Sequence, residues 1–356
     1  MDFKNYLVPG KTGLLIGIGG VSMSPLAEVL HDAGLDIRGS DMAESSNTLT
    51  LREHGIPIHI GHSADNVTDD ISFVIRTAAV HDDNPEVHEA HRRGIPVFER
   101  TQAWGALMRG YQNALCISGT HGKTTTTSMC THIMMAAEKD PTGMIGGTLP
   151  LLKACHRVGK GNTIIMESCE YYNSFLALNP TIAVVLNIEA DHLDFFKDLE
   201  DIKHSFRCFA ERVPAETGTV IANYDDANTM DALGGIARKV ITFGLNAKAD
   251  VYAQNIVHRG SVSEFDIYHR GNYFARVTLH VPGIHNVRNA LAATAAAIVL
   301  GVSPNAVKYG LAGFEGAGRR FDYKGKFQGA DLYGLLSQRK KIGIGSDQNC
   351  IIAEVR

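Results

Sequence analysis

The segment Ser118-Gly119-Thr120-His121-Gly122-Lys123-Thr124 has the residue types and spacing to hold a phosphate chain. It follows an apolar run, "NALCI", and opens a segment with helical patterning, the context a phosphate loop requires. Glycines let backbone N–H groups approach phosphate oxygens, and a helix N-terminus adds partial positive charge. Lys123 has the reach for β- and γ-phosphates, and the Thr124 hydroxyl suits a Mg²⁺ ligand. Thr120, His121 and Thr125 fall within the same turn. The loop is a shortened variant: Gly119 stands three residues before Gly122, where the common pattern has five. The plainer reading is a glycine-rich turn that caps a helix, but Gly-Lys-Thr after a strand favours phosphate.

Two acidic clusters follow, each at the end of an apolar run. "IIMESCE" carries Glu167 and Glu170, and "VLNIEADHLD" carries Glu189, Asp191, His192 and Asp194. In open α/β sheets ligands collect at the carboxyl ends of strands. Carboxylate and imidazole beside a triphosphate suit metal-assisted phosphoryl transfer; solvated loop charges are the alternative. Further on, "GIHNVRN" groups His285, Asn286 and Asn289 at a helix start, where an Asn can cap the helix or read an adenine edge. "GRRFDY" supplies Arg319 and Arg320, a surface pair or a γ-phosphate contact. Near the N-terminus "GIGGVS" matches the start of a dinucleotide fingerprint through Gly17 and Gly19, but Ser22 replaces its last glycine. Asp36 or Asp41 would be its acidic partner, and NAD is the weaker reading of that loop.

The elements that must position these groups alternate. "GLLIGIG" reads as a strand, then Ser24 to Gly34 as a helix with Ser24 as N-cap and Pro25 in its first turn. "LDIRGSD", "IPIHIG" and "ISFVIRTAAV" read as strands, with helices at "NTLTLREHG" and "NPEVHEAHRRG", and "IPVFERTQAW" reads as a further strand running into a helix. A second alternating unit starts at "NALCISG" and continues through "TIIMESCE", "TIAVVLNIEADH", an amphipathic helix over Asp198 to Val213, "TGTVIANYDD" and "KVITFG". Residues 249 to 281 change to three alternating strands, a meander, before an Ala-rich helix over Gly283 to Gly301. Strand–helix alternation predicts parallel sheets covered by helices, with a domain boundary near Leu107 to Asn113.

The 356 residues suffice for two or three domains, and 44% hydrophobic with 20% charged is a globular balance. A net charge of -4 argues against general nucleic-acid binding. The six cysteines contain no C-x-x-C pair and read as free thiols in a reducing compartment. No apolar run nears the roughly 20 residues that span a bilayer, and the N-terminus lacks a signal-peptide layout. The expected location is the cytoplasm, with neither a membrane nor a nucleic acid as partner.

"GTHGKTTTT", "ESCEYYNSFL", "NIEADHLD", "VPGIHNVRNALAA" and "GRRF" together, in this order, resemble the Mur ligases, over about Gly13 to Tyr333. That resemblance implies an α/β fold: an N-terminal Rossmann-like UDP-binding domain over 1–108, then a P-loop ATPase-type central domain over 109–322 with a parallel sheet and a small antiparallel meander. It implies an ATP-dependent ligase of peptidoglycan precursor synthesis that forms an acyl phosphate. The histidine in "GTHGKT", with "GIGGVSMS" and "EADHLD", points to members acting on UDP-N-acetylmuramate and L-alanine. By resemblance, Lys123, Glu167 and His192 would be catalytic. Gly119 to Thr125, Asn286, Asn289 and Arg320 would bind ATP. Thr124, Glu167 and His192 would hold Mg²⁺. Gly17, Gly19, Gly20, Ser22, Ser40, Asp41 and Thr77 would bind the UDP-sugar.

The family pattern continues after "RRF" into a third domain that opens with an Asp-Tyr-Ala-His-His-Pro type motif. Here "GADLYGLLSQRKKIGIGSDQNCIIAEVR" stands instead, so 323–356 reads as a remnant or aberrant start of that domain. A frame change near Tyr333 and a true short protein are the two explanations. The rival functions are a ligase that recycles murein tripeptide onto UDP-muramate and an inactive copy that binds ATP and UDP-sugar.

Overall fold

The computed structural model describes residues 2–77, 79–317, 322–327, 330–334 and 350–353. Arg319 and Arg320, and residues 335–349 of the tail, lie outside the described residues.

The first unit runs β1 (Thr12–Ile16), α1 (Ser24–Asp32), β2 (Asp36–Asp41), α2 (Ser46–Glu53), β3 (Ile58–Ile60), β4 (Ile71–Arg76), α3 (Pro85–Arg92), β5 (Val97–Glu99) and α4 (Arg100–Met108). Its sheet is parallel throughout, in the order β3-β2-β1-β4-β5. This is the Rossmann-like order, and it places a switch point between β1 and β4, outside which ligands settle. Helix starts carry their expected signals: Ser45 forms a capping box with Thr48 on α2, and Asn84 caps α3 ahead of Pro85. The expected Ser24 cap is different. Met23 occupies the N-cap position in αR conformation, and Ser24 is buried inside the first turn. The chain enters α1 from a turn in which the Met23 and Ser24 N–H groups both donate to Gly20 O. An N-cap side chain needs extended backbone, which this turn does not provide.

The second unit runs β6 (Asn113–Ser118), α5 (Lys123–Ala136), β7 (Thr142–Leu149), β8 (Ala154–Arg157), β9 (Thr163–Glu167), β10 (Ile182–Val185), α6 (Leu199–Glu211), β11 (Thr219–Asn223), α7 (Ala227–Ala232), β12 (Lys239–Gly244), β13 (Val251–Arg259), β14 (Val262–His269), β15 (Asn272–Leu279), α8 (Ile284–Val299) and α9 (Pro304–Ala312). One ten-stranded sheet has the order β15-β14-β13-β12-β11-β10-β6-β9-β7-β8. Neighbouring strands pair in parallel from β13 to β7, with β8 antiparallel at one edge and β14 and β15 continuing from β13 as an antiparallel meander at the other. Strands β10 and β11 are buried at every residue, as expected where helices cover both faces. On α6, Ile202, Phe206 and Phe209 recur at helical spacing and are all buried, Phe209 stacking on Phe175 with centroids 4.6 Å apart. Each such ring contributes about 1.5–3 kcal/mol of burial. Three short strands, β16 (Asp322–Phe327), β17 (Ala330–Gly334) and β18 (Cys350–Ala353), form a separate sheet.

The β7–β8 hairpin, α7 and α9 are not among the expected elements. The hairpin is irregular, pairing only at Gly143, Met144 and Leu149, so it carries little period-2 signal. Helix α9 did have a start signal, Ser303 capping ahead of Pro304. No helix among the described residues is long and apolar enough to cross a membrane. The five described cysteines are free, and burial pushes the Cys116 and Cys130 thiols up to about 12.

The hairpin ties the two units together. His156 of β8 meets Glu28 of α1 at 3.2 Å, both side chains largely buried, and the neighbouring Cys155 thiol reaches Val21 O at 3.7 Å. Burial works against the His156 charge, but its contacts with Cys155 and Glu28 outweigh it and raise the pKa from 6.5 to about 9. A raised folded pKa stabilises fully below the unfolded value and loses that stabilisation as pH rises through the folded one. The tie is therefore complete below about pH 6.5 and lost as pH rises through about 9. Thermal unfolding of wild type and Glu28→Gln from pH 6 to 10 checks this. The stability difference between them should be largest at the acid end and close towards the alkaline end.

Candidate active site

The phosphate loop leaves β6, the strand flanked by β10 and β9, and runs into α5. Gly122 sits at the N-cap position with φ +87°, and no side chain caps the helix. The first-turn N–H groups are thus left for a ligand. Gly119 has φ +140°, and a Cβ there would lie 2.8 Å from Leu186 Cβ. A Cβ on Gly122 would lie 2.6 Å from Asn289 Oδ1. Both glycines are demanded by backbone conformation and by the segments packed on the loop.

Asn187, just past β10, clamps that loop. Its Oδ1 accepts from His121 N–H (2.7 Å), its Nδ2 donates to His121 O (3.0 Å), and its carbonyl accepts from Thr120 N–H (3.0 Å). The Thr120 hydroxyl accepts from Glu189 N–H at 2.9 Å. Asn187 was not among the expected site residues. Its signal is an amide directly after a buried strand, at the strand end where ligands gather. The exposed His121 faces Glu189 at 3.5 Å.

The two acids of "ESCE" divide the loop between them. Glu167, at the end of β9, accepts from Thr124 Oγ1 (3.1 Å) and from Gly146 N–H on β7 (2.7 Å). Glu170 is buried and pairs with Lys123 Nζ at 3.0 Å. Lys123 also donates to Gly119 O (2.5 Å) and Thr120 O (3.3 Å), folding back across its own loop. His192 Nε2 lies 3.8 Å from Glu170 Oε1. Its φ is +52°, and its ring stacks on Tyr171 at 4.3 Å, while Tyr171 OH donates to Asp194 (2.5 Å). Tyr172 and Asn173 also have positive φ, +54° each. Strain of about 1–3 kcal/mol per residue is typical of functional clusters.

Thr124 and Glu167 form one oxygen pair, and His192 with Glu170 a second group. Among the described residues no set of three or more His, Cys, Asp or Glu side chains is gathered for a metal. The hydroxyl–carboxylate pair is nevertheless a hard donor set that suits Mg²⁺, an ion that keeps several waters and shares its ligands with phosphate oxygens. The residues therefore fit such an ion at Thr124 and Glu167.

Two cavities flank the loop. One, of about 410 Å³, is lined by His121, Gly122, Asn187, Asp225, His285 and Asn289. Asn289 borders it, whereas Asn286 is buried beneath, its Nδ2 donating to Pro282 O at 2.6 Å. The other, of about 210 Å³, lies between the two units. Val21, Ser22, Arg100 and Trp104 face Gly146, Glu167, Ser168 and Cys169 across it.

The expected UDP-sugar residues cluster at the switch point of the first sheet. Gly17 has φ +77°, and a Cβ there would lie 2.7 Å from Thr77 Cγ2. Asp41 Oδ2 accepts from Gly19 N–H (2.8 Å), and Asn47 donates to Gly19 O (2.8 Å). Gly20 O accepts the turn that opens α1, and Ser22 O accepts from Trp104 Nε1 at 3.2 Å. Ser40 is placed differently from a surface contact. Its buried hydroxyl donates to Glu86 (2.7 Å), while its carbonyl accepts from Gly17 and Ile18 N–H (2.8 and 3.0 Å). It shapes the loop from below.

Comparison with known proteins agrees with this layout. Residues 15–112 match the catalytic domain of the Mur ligase family, and residues 117–297 match the Mur ligase middle domain. The UDP-N-acetylmuramate–L-alanine ligase of Agathobacter rectalis is 46% identical over 318 residues, 89% of this chain and 69% of that protein. That of Clostridium novyi is 44% identical, over 92% of this chain and 71% of the relative. Among solved structures, UDP-N-acetylmuramate–alanine ligase of Thermotoga maritima superposes with a TM-score of 0.75 at 30% identity, covering 91% of this chain and 73% of that one. The tripeptide-adding UDP-N-acetylmuramate ligase of Neisseria meningitides gives 0.78 at 26% identity, over 87% of this chain and all of that one.

Proposed function

The chain belongs to the Mur ligase family, and from that premise we propose that it joins L-alanine to the carboxylate of UDP-N-acetylmuramate, driven by ATP, in peptidoglycan precursor synthesis. The observation that carries the reading is the phosphate loop standing between two cavities, Gly122 bordering one and Glu167 the other, with Thr124 bonded to Glu167. One cavity takes ATP and the other the acid end of the UDP-sugar. The division of labour we adopt is 1–108 for UDP-sugar, 109–322 for ATP and 323–356 for the start of a C-terminal domain, in a cytoplasmic enzyme.

The chemistry follows from the residues. The α5 N-terminus and Lys123 bind the β- and γ-phosphates, Lys123 exchanging Glu170 and the loop carbonyls for phosphate oxygens. Asn289 faces the adenine, with Asn286 fixing it from below. Thr124 and Glu167 would hold Mg²⁺, which neutralises charge on the transferring group when bound; His192 would help hold a second Mg²⁺ near the sugar carboxylate. The muramate carboxylate oxygen attacks the γ-phosphorus and ADP leaves. The alanine amine then attacks the acyl carbon and gives up a proton, and inorganic phosphate departs with the C–O electron pair and takes up that proton. The Gly17–Ser22 loop, Asp41 and Thr77 seat the UDP, with Ser40 supporting that loop.

The test is phosphate release from ATP and UDP-N-acetylmuramate with either L-alanine or the L-Ala-γ-D-Glu-meso-diaminopimelate tripeptide. L-alanine-dependent release is expected. Preference for the tripeptide, or binding of both nucleotides without turnover, overturns the reading.

A further inference from the structure

Arg100, the first residue of α4, lines the cavity between the two units. It is half-buried, and burial pulls its pKa down. Among the described residues its guanidinium has no hydrogen bond or ion pair. The surrounding carboxylates are already committed. Glu99 accepts from Arg76 Nε at 2.9 Å, Glu167 from Thr124 and Gly146, and Glu170 from Lys123. Glu99 acts on Arg100 only through its charge, which Arg76 already shares, and a permanently charged group drawn partly out of water with no hydrogen-bonded partner is costly. A site that keeps one is short of an anion, and an arginine fork suits a carboxylate.

The cavity walls indicate which anion. Ser22 brings the loop at the switch point of the first sheet to one side, and Glu167 with Ser168 brings the phosphate-loop machinery to the other. A nucleotide sugar anchored by its diphosphate at the first sheet presents its acid to the second. We infer that Arg100 is a positioning residue that grips the lactyl carboxylate of the muramyl sugar and holds it facing the phosphate loop. This rests on the function proposed above. The grip also offsets the repulsion between that carboxylate and the triphosphate, and it leaves one carboxylate oxygen directed at the γ-phosphorus.

The experiment compares UDP-N-acetylmuramate with UDP-N-acetylglucosamine, the same nucleotide sugar without the lactyl acid, by calorimetric binding to the full chain. Arg100→Ala should weaken the muramate by about 10- to 100-fold, the worth of a charge-assisted hydrogen-bonded pair. The glucosamine and ATP affinities should stay put, and Arg100→Lys should fall between. The ratio of the two sugar affinities is the readout, so a partly destabilised variant still decides. Equal weakening of both sugars assigns Arg100 to the diphosphate or to packing and overturns the inference, as does no weakening of either. Wild type that fails to bind UDP-N-acetylmuramate overturns instead the function on which it rests.

Discussion

Lys123→Ala should abolish ATP-dependent phosphate release, by about 10³-fold or more, the scale on which a preorganised charge at a transition state acts. UDP-N-acetylmuramate affinity should change by no more than about twofold, since well-separated sites respond independently. The reason is geometric. Lys123 Nζ is the cation nearest the loop's own carbonyls, 2.5 Å from Gly119 O, and is poised against the buried Glu170. On the proposed mechanism, its removal strips the charge that meets the developing negative charge on the transferred group. It also leaves Glu170 buried without its lysine partner, so thermal stability should fall as well. Unfolding is measured beside phosphate release and calorimetric binding of each nucleotide. Equal loss of ATP and UDP-sugar binding would mean that the two sites are not on separate units.

Glu167→Gln carries the second large effect. The amide keeps the side-chain size and can still accept from Gly146 N–H, but it loses the charge that a divalent cation needs. The Mg²⁺ concentration for half-maximal phosphate release should rise by about 100-fold. Metal-free ATP binding should hardly move, because the loop's N–H groups and Lys123 remain. Titrating Mg²⁺ against phosphate release separates the two. A variant that responds to Mg²⁺ as wild type does would remove Glu167 from the metal site.

Much of this was legible because it is local. Gly119, Gly122, Lys123 and Thr124 sit within six residues, and the glycine conformations, strand exit and helix start all follow from neighbours in the chain. Buried strands such as β10 and β11 announce themselves as continuous apolar runs. The family resemblance rested on the same short segments. Ser24 shows where local rules mislead: a good capping residue next to proline lost its place to a turn that approaches α1 in αR conformation.

The sequence by itself determined which segments make most of the strands and helices, which turn has the glycines and lysine of a phosphate loop, and which acids stand at strand ends. Only the tertiary structure decided how those acids are shared. Thr124 finds Glu167 across 43 residues, Lys123 finds Glu170 across 47, and His121 finds Asn187 across 66. Those pairings depend on β6 lying between β9 and β10, an order set by packing and hydrogen bonding of whole strands. The same holds for Arg100. Nothing in "PVFERTQ" marks its arginine, because its meaning is that no described residue hydrogen-bonds or ion-pairs with it. A missing hydrogen-bonded partner is a property of everything around a residue, and that surrounding exists only once the two units close on a common cavity.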